Sequence, residues 1–551
     1  MDNRRIILLL IFSFSLVMLW EAWQKHNLPK PPAVTAQANA TTPQPTASLQ
    51  GDASPAAPGA KIPPLAATTA APAAATVTIA TDLYSAEIST QGGDLTRLEL
   101  NRYRGAEDKS KHFTLLGPKH HYVAQTGLIG DGLPNHRTNF TAVAGPRELG
   151  ADDKQLKLRL EATAADGVKV AKIYTFHRGS YEIDVGYEIS NTTQKPLAPH
   201  AYYQFQRDTV APEGEAKMVS TFTGPSVYTS EEKYQKISFD DIEKDKAKFV
   251  KTADNGWLAM VQHYFVSAWV PQDKDKREFY TRVIEPPSSG HAVIAAGIIL
   301  PVTEIAPGST GSQMVRLYAG PQEQNKLKAL AEGLNLVVDY GWLTIVAAPI
   351  FWVLQAIHGV VGNWGWAIIF LTIGIKAIFF PLSAASYRSM AKMRQVTPRL
   401  QQLKERFGDD RQKLNQEMMK LYQTEKINPL GGCLPIVIQI PVFIALYWVL
   451  LGAVEMRDAP WMLWITDLST ADPYYVLPVI MVVSMLIQTK LNPTPPDPIQ
   501  AKVMMAMPFM FGIMFFWFPA GLVLYWVVNN VLSIAQQWQI TRMIEGAAKK
   551  T

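Results

Sequence analysis

Residues Trp364 to Leu382 read WGWAIIFLTIGIKAIFFPL, an apolar run long enough to cross a bilayer, with Lys376 as its one charged side chain. Trp364 and Trp366 mark one interface, and a basic segment beginning at Arg388 marks the other. An ammonium at the centre of a hydrocarbon layer costs about 2.5–3.5 kcal/mol on insertion scales, so Lys376 is expected to face a wet or protein-lined space. Four more apolar runs follow, at Pro429 to Val454, Tyr474 to Thr489, Val503 to Phe518 and Gly521 to Ile540, and none carries a charge.

Upstream, Ile6 to Leu19 is apolar, preceded by Arg4 and Arg5 and followed by Trp20 and Trp23, without a small-x-small cleavage site after it. Residues 1–26 therefore read as an uncleaved anchor, for six spans in all. Residues 27–76 are dominated by Pro, Ala, Thr and Gln, which cannot bury enough surface to offset chain ordering, and read as a linker. From 77 to 321 the pattern changes to period-two alternation, as in Gln155 to Glu161 (QLKLRLE), Lys169 to Phe176 (KVAKIYTF) and Tyr181 to Ser190 (YEIDVGYEIS). Such strands, punctuated by Gly, Pro, Asn and Asp, predict a large antiparallel β-sandwich.

Charge sets the orientation. Arg388 to Lys426 holds ten Lys or Arg against five Asp or Glu, while Glu455 to Asp472 holds one Arg against four acids. The first loop is thus placed in the cytoplasm and the second outside. Both termini then lie inside, and the β-domain lies in the periplasm of a two-membrane bacterium. Leu343 to Val361 is long enough to pass for another span, but counting it would put the basic loop outside. It is read instead as an apolar helix in the outer interface, within a connecting segment 322–362, broken by Pro349 and ended by Gly362 and Asn363. The core is assigned to 363–545, with a short basic tail at 546–551.

The net charge of +5 is modest; the single cysteine, Cys433, excludes an internal disulfide, and no metal-ligand cluster surrounds that thiol in the sequence. The loop 384–428 reads as a helical hairpin, since Leu400, Leu403 and Phe407 recur before Gly408, and Leu414, Met418, Leu421 and Tyr422 recur after it. Its basic face comprises Arg388, Lys392, Arg394, Arg399, Lys404 and Arg406, a solvated topology signal or a dock for anionic lipid or an RNA-containing partner. Within the bundle, Thr372, Gln439, Trp517, Tyr525, Asn529 and Asn530 are the polar or amphipathic groups set beside Lys376. Each alone reads as a helix–helix hydrogen bond; together with a lysine that has no acid in any core span, they favour a hydrated groove. A Ser/Lys hydrolase is disfavoured because Ser383 lies seven positions from Lys376, about 10.5 Å along a straight helix at roughly 1.5 Å per residue, unless another helix supplies the serine. A proton-coupled transporter is disfavoured by the lack of carboxylate or histidine in these spans.

The stretches NWGWAIIFLTIGIKAIFFPLSAASYRSMAKM, INPLGGCLPIVIQIPVFIALYWVL, DPYYVLP and MPFMFGIMFFWFPAGLVLYWVVNNVLSIAQQ resemble the YidC/Oxa/Alb family of membrane protein insertases in its Gram-negative form. The resemblance is strong from about Gly341 onward and is architectural before it. It implies a five-helix core with a hydrophilic groove open to the cytoplasm and to lipid, and a periplasmic sandwich of the sugar-binding type. It places Lys376 where the family usually carries arginine, keeping charge but losing bidentate pairing. It also implies that Ile440, Pro441, Phe443, Pro508, Met510 and Met514 face the substrate, that no cofactor or metal is used, and that the protein is not an enzyme. The implied partners are nascent membrane proteins and the Sec translocon, with ribosome and targeting factors at the hairpin. The rival from another class is a membrane-anchored periplasmic carbohydrate-binding or glycan-modifying protein, for which Trp257 and Trp269 are available as stacking residues, though core packing suits them better.

Overall fold

The computed structural model describes residues 75–105, 108–164, 166–212, 221–286, 291–407, 410–425, 434–492 and 498–548. The expected anchor, nearly all of the linker, the start of the Pro429 to Val454 run and the last tail residues lie outside the described residues.

The alternating runs pair as strands. Gln155–Thr163, Lys169–His177 and Glu182–Ser190 form successive antiparallel neighbours, with Leu156 opposite Phe176 and Leu158 opposite Tyr174. All four of those side chains are buried, while Gln155 and Lys157 between them are exposed, as a sheet with one wet face requires. Among the described residues the domain comprises two nine-stranded sheets. One runs through Leu95–Arg104, Val123–Ile129, His200–Asp208, Val293–Pro301 and Arg277–Glu285; the other runs through Trp257–Gln262, Phe265–Val270, Thr310–Pro321 and the three strands above. Val293–Pro301 and Trp257–Gln262 are buried along nearly their whole length, which is why runs such as VIAAGIIL carry no alternation. The segment after the last strand lays Leu327, Leu334 and Val337 on the same core, and Trp257 Nε1 donates to the Glu332 carbonyl at 2.9 Å.

The helical part comprises α1 (Thr344–Val361), α2 (Trp364–Ile378), α3 (Phe380–Phe407), α4 (Arg411–Thr424), α5 (Leu434–Gly452), α6 (Val476–Leu491), α7 (Pro498–Phe515) and α8 (Ala520–Ala548). α1 ends where expected, with Gly362 in the left-handed region at φ 70° and the Asn363 side chain accepting from the Trp366 amide. It is not broken by Pro349, however, and runs through it. The bond Pro349 forfeits is to the Ile345 carbonyl, one turn from the helix start, and Ile345 is 86% exposed. By length and composition α1 can cross a membrane, as can α2 joined to the start of α3.

The Trp364 to Leu382 run is not one straight helix. It bends by 66° at Phe379, between α2 and α3. Pro381 supplies the cause: it lacks the N–H that would reach the Ala377 carbonyl, and its ring crowds that oxygen. α8 packs against α2, α3 and α6; α1 packs against α2 and α5; and α7 lies on α6. α3 and α4 pair through Val396 and Leu400 against Met418, Leu421 and Tyr422, so the hairpin apolar stripe includes Val396 in addition to the expected Leu400.

The two parts are joined by the segment between α5 and α6. Lys109 Nζ bridges Asp458 at 2.9 Å and Asp467 at 3.0 Å. Arg457 donates to the Arg104 carbonyl at 2.7 Å, and its guanidinium carbon lies 4.9 Å from the Phe113 ring centre and 5.3 Å from that of Phe265. His263 Nε2 meets the Leu451 carbonyl at 3.0 Å.

Candidate functional site in the helical core

A cavity of about 340 Å³ opens among α2, α3, α5, α6 and α8, and Lys376, 6% exposed, lines it. The lysine sits on the last turn of α2, just before the bend that turns α3 away. Its Nζ donates to Ser533 Oγ on α8 at 2.7 Å, and Ser533 Oγ donates in turn to the Asn529 carbonyl at 2.7 Å. Among the described residues no carboxylate pairs with Lys376. Gln439 from α5 donates to Asn529 Oδ1 at 3.1 Å, and Asn530 donates to Ser484 Oγ on α6 at 3.3 Å.

Of the expected groove residues, Lys376, Gln439, Asn529 and Asn530 share this cavity; Thr372, Trp517 and Tyr525 do not line it. Thr372 is buried, and its hydroxyl is used on the Ile368 carbonyl at 2.7 Å, the usual i−4 bond of a threonine within an apolar helix. Tyr525 is buried beside Phe443, and Trp517 is 56% exposed just past the end of α7. Of the apolar positions implied to face substrate, Ile440 and Phe443 line the cavity, with Phe443 stacked on Trp526 at 5.0 Å. Met510 is exposed, Pro441 and Met514 are half-buried, and Pro508 is buried rather than presented. On the α3–α4 hairpin Arg388, Lys392, Lys404 and Arg406 are exposed or half-exposed, Arg399 pairs with Glu425 at 2.5 Å, and the Arg394 side chain lies outside the described residues.

Sequence reasoning misses Ser386, Tyr387, Gln488, Asn492 and Ser533 as lining residues, and weighs Ser383 only as a nucleophile. One signal is present in the chain: Asn529, Ser533 and Gln537 recur at a spacing of four and so share a face of α8. Gln537 accepts from Gln488 at 2.7 Å and donates to the Leu491 carbonyl at 3.0 Å, which ties that face to α6.

The Ser/Lys argument leaves open a serine supplied by another helix, and Ser533 on α8 is such a serine. In that pair the Ser533 hydroxyl also lies 2.7 Å from the Asn529 carbonyl on its own helix. In the sandwich, Trp257 and Trp269 are 2% and 1% exposed, so neither offers a face to a sugar. On the sheet surface away from the main core, Tyr202 lies over Gly127 and Tyr280 over Gly297, where an added Cβ would collide with the tyrosine ring. Tyr280 then donates to Gln204 at 2.7 Å and Gln204 to Gln125 at 2.8 Å, so these polar groups are consumed internally.

A cationic cavity among apolar helices, with no carboxylate lining it among the described residues, joined to a large antiparallel sandwich, defines a two-part class: a helical body carrying a large β-domain. Residues 76–353 match the model of the YidC periplasmic domain, and residues 356–548 match that of the 60Kd inner membrane protein. A protein of Dechloromonas aromatica called membrane protein insertase YidC is 67% identical over 551 residues, covering 100% of this chain and 99% of its own. Its namesake in Aromatoleum aromaticum is 60% identical, covering 99% and 98%. A solved structure of an active YidC insertase with the first transmembrane domain resolved aligns over 84% of this chain and 91% of its own, at 18% identity and a TM-score of 0.39. The chain belongs to the YidC family of membrane protein insertases.

Proposed function

We infer that the protein inserts newly made proteins into the bacterial inner membrane, and that the cavity around Lys376 receives the polar segment of the incoming chain. The reading takes the N-terminal anchor and five core spans as crossing the membrane, with both termini and the α3–α4 hairpin in the cytoplasm and the sandwich in the periplasm. The observation that carries it is a buried lysine, without a carboxylate partner among the described residues, lining a polar cavity between apolar helices. Carrying an acidic segment through hydrocarbon exposes each carboxylate to an uncompensated desolvation cost; a fixed positive charge and neutral amides lower that cost at the midpoint of the path. An apolar span then leaves along Ile440, Phe443 and Met510 toward lipid. Its burial, at roughly 25 cal/mol per Å², drives completion without nucleotide hydrolysis.

The exposed cations of α3 and α4 suit anionic lipid, a targeting factor or the ribosome, and the sandwich suits contact with the Sec translocon. In reconstituted vesicles, insertion of a small single-span substrate with an acidic outer segment should fall about ten-fold or more for Lys376→Glu and stay near the starting level for Lys376→Arg, since reversing a buried charge outweighs changing its shape. Equal insertion by the two variants would overturn the role given to the groove charge.

A further inference from the structure

We propose that Ser533 is a positioning residue for insertion: its hydroxyl holds the Lys376 ammonium at the inner wall of the cavity and keeps it turned toward the incoming segment. The proposal rests on the reading of this cavity as the insertion site. A lysine ends in a compact charge on a four-carbon stem with much rotamer freedom, so its location is set by whatever it bonds. Here that is Ser533 Oγ, 9% exposed, at 2.7 Å, the one hydrogen-bond partner of Lys376 among the described residues. The hydroxyl is itself fixed, because its proton goes to the Asn529 carbonyl one turn earlier at 2.7 Å and the Tyr387 hydroxyl on α3 also hydrogen-bonds it, leaving one lone pair for the ammonium. Asn529 is held in turn by Gln439 at 3.1 Å. Three helices thus place one charge through a hydroxyl that neutralises nothing. An ammonium carries three donors, so two stay available for a carboxylate or carbonyl of the guest. An acid in place of Ser533 would close the site as an ion pair.

The test is a double-mutant cycle in reconstituted vesicles with two single-span substrates, one with an acidic and one with a neutral outer segment. Ser533→Ala is expected to lower the preference for the acidic substrate about ten-fold or more, as loss of one hydrogen bond to a charged group does. Ser533→Thr, which keeps the hydroxyl, should restore it, and Ser533→Ala should add nothing once Lys376→Ala is present. If Lys376→Ala abolishes the preference while Ser533→Ala leaves it intact, the positioning role is overturned and the groove reading stands. If neither variant changes the preference, the groove reading falls and the proposal with it. An equal loss for both substrates, unchanged in the Lys376→Ala background, would show that Ser533 serves packing alone and would also overturn the proposal.

Discussion

Two buried lysines, one in each half of the molecule, are treated in opposite ways. Lys172, fully buried in the sandwich, has Asp94 at 3.6 Å, the Gly92 carbonyl at 2.9 Å and the rings of Tyr174 and Tyr187 at 5.6 and 5.9 Å. Burial draws its pKa down and pushes that of Asp94 up, yet each remains beside the other in the buried core of the sandwich. Lys376 has a hydroxyl in place of a carboxylate and a cavity in place of packed rings. The lesson is that burial alone does not mark a functional charge. What marks it is burial beside open space with donor capacity left over.

The comparison breaks most visibly at Asp94. Asp94→Ala strands the Lys172 charge in the core and should cost about 3–5 kcal/mol in denaturant unfolding of the full chain, whereas Asp94→Leu with Lys172→Met should recover most of it. A single variant costing under about 1 kcal/mol would mean the sandwich lysine is not held as a pair.

The next effect is pH-dependent. Burial, reinforced by Arg137, Arg282 and Lys172, holds His136 down at about 4. Its folded pKa is depressed, so its contribution is present above the unfolded value of about 6.5 and is lost as pH falls through about 4. The unfolding free energy of the wild type should therefore drop more steeply than that of His136→Asn across this window, by up to about 3 kcal/mol. Parallel curves would show that the histidine is not kept neutral by the fold.

The joint between the halves comes third. Arg457→Ala removes the bond to the Arg104 carbonyl and the stacking on Phe113 and Phe265. It should cost about 1–2 kcal/mol and raise amide exchange in residues 451–459 ahead of the sandwich strands. Unchanged exchange there would show the joint to be held by other contacts. The smallest expected stability effect sharpens the contrast: Lys376→Met should change unfolding by less than about 1 kcal/mol, because no paired charge is stranded, while insertion of acidic substrates falls. A loss as large as that of Asp94→Ala would make Lys376 a structural residue.

Much of this is legible in the amino-acid sequence itself. QLKLRLE places its leucines correctly because period-two alternation is a local property, and Gly362 and Asn363 end α1 for local reasons too. Lys376, Gln439, Asn529 and Asn530 stand out as polar residues in apolar runs. The bend at Phe379 is not legible, because Pro381 reads equally well as the end of a span. Ser533 escapes notice because a serine in an apolar helix is ordinary until its partner, 157 residues away along the chain, is known. Thr372 misleads for the complementary reason: its hydroxyl returns to its own helix, which residue type alone does not reveal.

The central claim is that position 376 borders polar, solvent-reachable space within an otherwise apolar bundle. With the single native cysteine replaced by Cys433→Ser, the variants Lys376→Cys, Ile373→Cys and Ile378→Cys can be compared in membrane vesicles with a charged, membrane-impermeant thiol reagent. Ile373 and Ile378 are exposed on the outer surface of α2, at 43% and 76%, where lipid would suppress thiolate formation. The account predicts that the thiol at 376 reacts readily with reagent on the cytoplasmic side while those at 373 and 378 stay inert. A thiol at 376 as unreactive as its two neighbours would contradict it.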